Sequence, residues 1–392
     1  MGERIVEKRE IVAKCPYVKK CGACHIGEKS YEDELAEKKK WVVSNIGKYC
    51  GKVNDVAGMY YPYHYRNKVH AVFGRRKEEI LAGIYVEGTH TIVPVKDCFI
   101  EDTQASAIIQ TVTELIRSFK LRVYDEDTGR GLMRHIVVRK GASTKQIMVV
   151  LVTAAPEFPH KNQFVAKLRE YHPEITTIMQ NINEKQTTMV LGDRNKILYG
   201  QGYIEDVLLG LRFRISPGSF YQVNSAQTQV LYKKVIQAAG LTGTETVIDA
   251  YCGIGTIGMC MHAKAKQVTG IELNEQAVKD AKANARRNNL EHMRFIVADA
   301  TEYMTHMSQK GERADVIVMD PPRSGSTEAF VKAAASLQPG RIIYVSCNPE
   351  TLGRDLAWFA KAGYIADEAW PVDMFSFTDH IECVVTMSRG EK

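Results

Sequence analysis

Long hydrophobic runs are missing from this chain: its longest apolar stretches fall far short of the roughly 20 residues that a membrane helix needs. No signal peptide opens it either, so neither a membrane nor a secreted protein is expected. Internal repeats and low-complexity tracts are absent, which argues against a solenoid or a linker-like chain. The cysteines number nine, an odd count. In a reducing compartment such cysteines serve as ligands, nucleophiles or core filler rather than as disulfides. A cytoplasmic enzyme is the class these absences leave. What is present suits it: 392 residues, 45 % apolar and 25 % charged, make two or three domains with ordinary cores.

Charge is unevenly placed. Residues 1–215 hold 34 Lys and Arg against 26 Asp and Glu, a surplus of +8, whereas residues 216–392 hold 18 against 20, or −2. A solvated surface accounts for a surplus this small. The sharper reading is a nucleic-acid grip upstream of a more neutral catalytic domain.

The second half alternates strand and helix. "ETVIDAY", "QVTGIEL", "RFIVADA", "ADVIVMD", "RIIYVS" and "IECVVTMS" read as strands. "TIGMCMHAKA", "NEQAVKDAKANARRNN" with Asn274 as N-cap, and "TLGRDLAWFAKAG" ending at Gly363 read as helices. Repeated βα units with near-continuous apolar strands predict an α/β, doubly wound, mostly parallel sheet over 216–392. Ligands bind beyond the carboxyl ends of such strands. The first half differs. "RNKVHAVFGRR", "ILAGIYVEGTHTIVPV", "MRHIVVRKG" and "QIMVVLVTAA" read as antiparallel strands, interrupted by helices near 101–120 and 161–171. A mixed, largely antiparallel α+β domain is expected over 51–215, after an N-terminal segment 1–50. The boundary falls near Ile215, and a linker helix over 225–239 is expected to pack on the C-terminal domain.

"DAYCGIGTIG" carries Gly253-x-Gly255-x-x-Gly258 between a strand and a helix, with Glu272 ending the next strand. That is the dinucleotide fingerprint, so a nicotinamide-dependent oxidoreductase is one reading. Asp249 sits just before the loop, where a pyrophosphate would be repelled. Asp299 and Asp320 end later strands. Asp249, Glu272, Asp299 and Asp320 together suit a cation bearing hydroxyls, such as S-adenosylmethionine (SAM). An N-cap or turn role accounts for any one of these carboxylates, but less well for four at successive strand ends.

In "IIYVSCNPET" a strand opens onto a turn at Cys347. Transferring a methyl group from SAM to an amine or hydroxyl needs no protein nucleophile. An unactivated aromatic carbon does need one: a thiolate added to C6 of uracil makes C5 enolate-like. After transfer a base must remove the C5 hydrogen. Glu382 in "DHIECVV" precedes a buried-looking strand, where desolvation would raise its pKa toward a base's range. Asp379 and His380 are backups, and pairing with an Arg is the bland alternative for Glu382. An inert core thiol is the bland alternative for Cys347; it fits Cys252, Cys260 and Cys383 better, since they sit inside elements.

The motifs "SPGSFYQVN", "DAYCGIGTIG", "IELN", "DPPRSG", "VSCNPETLGRDL" and "HIECVV" resemble, in order and over nearly the whole chain, those of the RNA uracil-C5 methyltransferase family. Members make 5-methyluridine in 23S rRNA and tRNA. The resemblance implies a Rossmann-like class I SAM-dependent domain, with Cys347 as nucleophile and Glu382 as base. It implies that Gln222, Tyr251, Thr256, Glu272, Asp299 and Asp320 line the SAM pocket, and that Asp320 touches the uracil. Thr256 departs from the Asn of many relatives, and Pro322 from the Ala of some. Neighbouring chemistries fit less well. Amino-methylating enzymes place an aromatic where Arg323 stands, and cytosine-C5 enzymes place Cys there.

"CPYVKKCGAC" brings Cys15, Cys21 and Cys24 together, with Cys98 as the chosen distant fourth ligand and Cys50 as its rival. Four thiols suit zinc or an iron–sulfur cluster. The resemblance implies a 4Fe–4S cluster on Cys15, Cys21, Cys24 and Cys98. "YYPYHYRNKVH" and "GRGLMRHIVVRK", with Arg66, Lys68, Arg130, Arg134, Arg139 and Lys140, mix rings and cations in a way that suits RNA. Fourteen residues precede Cys15, too few for the β-barrel module of larger relatives, which resembles the shorter 23S rRNA branch. A monomer acting on 23S rRNA, without DNA or membrane partners, is expected. tRNA is the alternative substrate, and a noncatalytic iron–sulfur RNA-binding protein is the rival from another class.

Overall fold

The structure is a computed structural model and describes residues 15–390. Two main sheets organise these residues. The larger has eight strands, in the order Cys50–Val53, Tyr364–Val372, Glu382–Arg389, Arg341–Ser346, Val316–Met319, Thr246–Ala250, Gln267–Glu272 and Met293–Val297. All neighbours run parallel except Glu382–Arg389, which is antiparallel to both of its partners. The order reverses at Thr246–Ala250, whose strand leads into the glycine loop. Ligands collect at such a reversal.

Local signals explain the helices that follow the strands. Asn274, Asp299 and Asn348 each accept a backbone N–H in the first turn of the next helix. Pro349 adds a preset φ at the start of Pro349–Lys361. Apolar residues cover both sheet faces. Val247, Val268, Val316 and Ile343 face one core, and Ile248, Ile271, Ile317 and Ile342 the other. The linker helix Ser225–Ala239 packs into the first of these through Leu231, Tyr232 and Val235, as expected.

The second sheet has seven strands, in the order Ile92–Pro94, Glu79–Tyr85, Lys68–Arg76, Met133–Lys140, Ile147–Thr153, Ile175–Ile182 and Arg194–Tyr199. It is antiparallel except where Ile147–Thr153 and Ile175–Ile182 run parallel across the helix Lys161–Tyr171. Helix Thr103–Ser118 buries Ile108, Val112 and Ile116 against it. A hairpin of Ile204–Leu208 and Leu211–Ile215 leads to the larger sheet.

One part of the N-terminal organisation differs from the expected segment 1–50. Helix Tyr31–Ile46 and strand Cys50–Val53 pack on the larger sheet: the strand pairs parallel with Tyr364–Val372, and Val42 and Ile46 enter the second of its cores. Residues 31–53 therefore extend the layer built on the larger sheet. Among the described residues, no helix is long and apolar enough to cross a membrane.

Candidate active site

The glycine loop is built around a buried carboxylate. Asp249 is 1 % exposed, and its Oδ2 accepts the Gly258 N–H at 2.8 Å. A Cβ at Gly258 would meet that oxygen at 2.7 Å, so only glycine permits this approach. Oδ1 of Asp249 has no hydrogen-bond partner among the described residues. Burial, with Asp320 and Glu272 nearby, pushes the Asp249 carboxyl up to about 7 against the pull of the Gly258 N–H. Tyr251 has φ +62°, an uncommon conformation for a bulky residue and frequent at ligand sites. A Cβ at Gly253 would meet nothing within 4 Å, so the backbone there faces open space.

Glu272 lies across this loop. Its Oε2 accepts the Gly253 N–H at 3.1 Å and its Oε1 the Asn274 N–H at 2.8 Å. Each oxygen keeps acceptor capacity for a ribose hydroxyl. Asp299 is an exposed N-cap that accepts from Thr301 and Glu302 with Oδ1, and the Tyr251 ring lies within reach of its charge. Thr256 bonds to the Tyr232 hydroxyl at 2.8 Å, and that tyrosine in turn senses Asp320. Gln222 is buried just before the linker helix; its carbonyl accepts from Asn67, and its side chain makes no hydrogen bond among the described residues.

The reactive end of the site lies at the next strands. Cys347 sits between the end of Arg341–Ser346 and the start of Pro349–Lys361. Ser346 Oγ accepts the Asn348 N–H at 3.2 Å and closes the turn. Burial, then the Glu382 and Asp320 charges, push the Cys347 thiol up to about 11, and Arg323 opposes them. Glu382 is 5 % exposed and begins its strand. Burial and Asp320 hold its carboxyl well above the usual range. Burial also lifts Asp320, to about 7. Cys347, Glu382, Asp320 and Arg323 thus share one neighbourhood. The backups divide. Asp379 is 97 % exposed and faces His25, whereas His380, edge-on to Phe375, senses the Arg323 charge and so stays beside the site.

Cys15, Cys24 and Cys98 pack around a small core of Ile26, Ile100 and Phe377. Cys21 and Cys24 sense the charge of Cys15, and Cys98 that of Cys24; all four are free thiols. The rival Cys50 is elsewhere, buried in the edge strand with its thiol 3.3 Å from the Lys52 carbonyl. Among the described residues no group of three or more His, Cys, Asp or Glu stands in a metal-holding arrangement. The thiols converge, but not as a finished coordination shell.

The expected RNA-contacting cations divide. Arg134 is 1 % exposed, held by Glu126 and the carbonyls of Asn183 and Lys185. Arg139 is buried on the carbonyls of Ser216 and Ser219, where it ties the two halves together. Both are structural: every residue from Met133 to Arg139 is buried, so this strand has no solvated face to present them on. Lys68 lies beside Arg139 and Arg66 without an ion pair among the described residues, and burial plus those charges push it down to about 8. A cavity of about 430 Å³ opens between the halves, lined by Tyr60, Tyr61, His64, Asn67, Lys140 and Ser225 among others; its lining includes neither Cys347 nor the carboxylates of the acidic pocket.

A doubly wound sheet with one antiparallel strand, a glycine loop and a ring of carboxylates at the strand ends defines a class I SAM-dependent methyltransferase. The comparisons narrow this. The family model for tRNA (uracil-5-)-methyltransferase matches residues 165–390. The chain is 43 % identical over 381 residues to the uncharacterized RNA methyltransferase BH0687 of Halalkalibacterium halodurans, covering 96 % of this chain and 83 % of that one. It is 41 % identical over 382 residues to an uncharacterized RNA methyltransferase of Clostridium tetani, covering 96 % and 83 %. Among solved structures it resembles Pyrococcus abyssi tRNA (uracil-54, C5)-methyltransferase in complex with S-adenosyl-L-homocysteine, with a TM-score of 0.76, 28 % identity, and 91 % and 83 % of the two chains covered. The chain belongs to the RNA uracil-C5 methyltransferase family.

Proposed function

We propose that the protein methylates C5 of a specific uridine in 23S rRNA, giving 5-methyluridine, with Cys347 as nucleophile and Glu382 as base. The observation that carries this reading is the shared neighbourhood of Cys347, Glu382 and Asp320 at the strand ends. SAM supplies an electrophilic methyl group and departs as S-adenosylhomocysteine. Glu272 and Asp299 are the residues we assign to its hydroxyls and base, with Gln222, Tyr251, Thr256 and Asp320 completing the pocket.

The raised carboxyls fit a pair that holds about one negative charge between them at neutral pH, since two adjacent buried carboxylates resist ionising together. That charge receives the Cys347 proton as sulfur bonds to C6 and the C5–C6 electrons shift onto the ring. C5 then takes the methyl group. The pair then gives the proton it took from Cys347 to solvent, so that Glu382 is a carboxylate when it removes the C5 hydrogen. The C6–sulfur bond breaks, and the leaving thiolate takes that proton from the pair to restore the thiol, with one proton released per turnover. Arg323 stabilises the thiolate as it forms and leaves. Tyr60 and Tyr61, 90 % and 58 % exposed, provide surfaces for splayed bases, and Lys68 and Arg66 charge for phosphates.

We also infer that Cys15, Cys21, Cys24 and Cys98 hold a 4Fe–4S cluster. Cys15, Cys24 and Cys98 gather at one small core, Cys21 lies near enough to sense Cys15, and all four are free thiols, the donor type such a cluster takes. The cluster would have a structural or RNA-positioning role, since this methylation moves no net electrons. tRNA is the second reading, favoured by the Pyrococcus neighbour's substrate. The test maps 5-methyluridine in 23S rRNA and tRNA from cells with and without the gene. Loss of one 23S rRNA site upholds the proposal. Loss confined to tRNA moves the substrate, and no loss in either overturns the activity.

A further inference from the structure

The segment 373–381 holds none of the residues assigned to the chemistry, yet it sets the entry to Glu382. It joins Tyr364–Val372 to Glu382–Arg389, and Val372 is the ladder partner of Glu382. Asp373 therefore follows directly on the base's own partner.

An ion triad clamps this loop. Asp373 is 0 % exposed, Glu34 2 % and Lys38 5 %. Lys38 Nζ lies 2.6 Å from Glu34 Oε1, donates to Asp373 Oδ1 at 2.7 Å, and donates to the Phe375 carbonyl at 3.1 Å. Glu34 Oε1 accepts the Phe377 N–H at 2.7 Å. The Tyr31 hydroxyl donates to Asp373 Oδ2 at 2.5 Å, and Ser376 Oγ donates to the same oxygen at 2.9 Å. From the other side, Asn224 and Gln227 donate to the carbonyls of Met374 and Asp373. Helix Tyr31–Ile46 and the linker helix thus grip the loop between them.

Such a triad is a costly way to gain stability, because three charges are removed from water and an apolar core of equal volume would serve as well. Its distinctive property is geometric: Lys38 reaches both carboxylates and a loop carbonyl only in one arrangement of loop and helix. We propose that Lys38 is a positioning residue for the base, holding segment 373–381 so that Glu382 meets the C5 hydrogen. This inference rests on the covalent reading above.

The test separates adduct formation from its release in single turnovers, with labelled SAM and RNA containing the mapped uridine. Lys38→Met should leave Cys347 attack and methyl transfer intact but slow release about 10²-fold, the scale of a misplaced catalytic group. Methylated protein–RNA adduct should then accumulate on denaturing gels. Lys38→Arg should restore release, and Tyr31→Phe, which removes only the hydroxyl, should slow it less. If Lys38→Met lowers adduct formation and release in parallel with the folded fraction, or leaves release unchanged, the inference is overturned. Glu382→Gln is the control. If it traps adduct and Lys38→Met does not, Lys38 alone loses its role. If neither traps any, the covalent reading falls and this inference with it.

Discussion

Replacing Asp249 by Asn should stabilise the unliganded protein at pH 8 and leave it nearly unchanged at pH 4. Asp249 is 1 % exposed, its Oδ1 has no partner among the described residues, and its carboxyl is raised from 3.8 to about 7. The folded state thus holds a proton that the unfolded chain has released above pH 4. Stability should fall as pH rises from about 4 to 7, since the unfolded state binds fewer protons there. Above pH 7 the carboxylate ionises inside the fold, and the full penalty of about 3 pKa units, or about 4 kcal/mol, has been incurred. Asn has the shape of the protonated acid and cannot ionise. At pH 4 the two should match, and at pH 8 the variant should gain up to about 4 kcal/mol. Urea unfolding at intervals from pH 4 to 8, followed by circular dichroism, measures both curves. Parallel curves, with no flattening in the variant, would refute the electrostatic account of the pocket.

Arg323→Ala should leave the Cys347 thiol with less to oppose its carboxylate neighbours, so iodoacetamide should label it about two- to tenfold more slowly at pH 8, mapped by mass spectrometry; equal or faster labelling contradicts the reading. Rate against pH under kcat/KM conditions should climb through about pH 7 as Asp320 ionises beside Glu382, and a flat acid limb would rule out the pair. Anaerobically purified protein should be brown, with iron and acid-labile sulfide; colourless, fully active protein with one zinc refutes the cluster. Cys98→Ser should lose the iron and Cys50→Ser should keep it, because Cys50 lies in the edge strand of the other layer.

Much of the C-terminal half could be read from its pattern. Alternating apolar strands and capped helices are local signals, and Asn274 and the helix Ser225–Ala239 stand as their residues imply. The placing of carboxylates at strand ends follows from the same alternation. Four things are hidden. Lys38 and Asp373 lie 335 residues apart, so neither looks unusual in its own stretch. Helix Tyr31–Ile46, capped by Ser30, carries a clear local signal, but nothing in its own stretch shows that it packs on the C-terminal sheet. Arg134 and Arg139 look like surface cations until both faces of their strand are covered. The protonation of Cys347 was also beyond reach, since it depends on carboxylates from two other strand ends.

The central claim is that Cys347 bonds to uracil and Glu382 ends the adduct. The direct measurement is the amount of denaturation-resistant protein–RNA adduct formed by Glu382→Gln with SAM and substrate RNA. Loss of a general base typically slows its step about 10²–10⁴-fold, so methylated adduct should accumulate and its peptide should contain Cys347. Cys347→Ala, alone or combined with Glu382→Gln, should form no adduct and no 5-methyluridine. An adduct on another cysteine, or methylation by Cys347→Ala, would contradict the account.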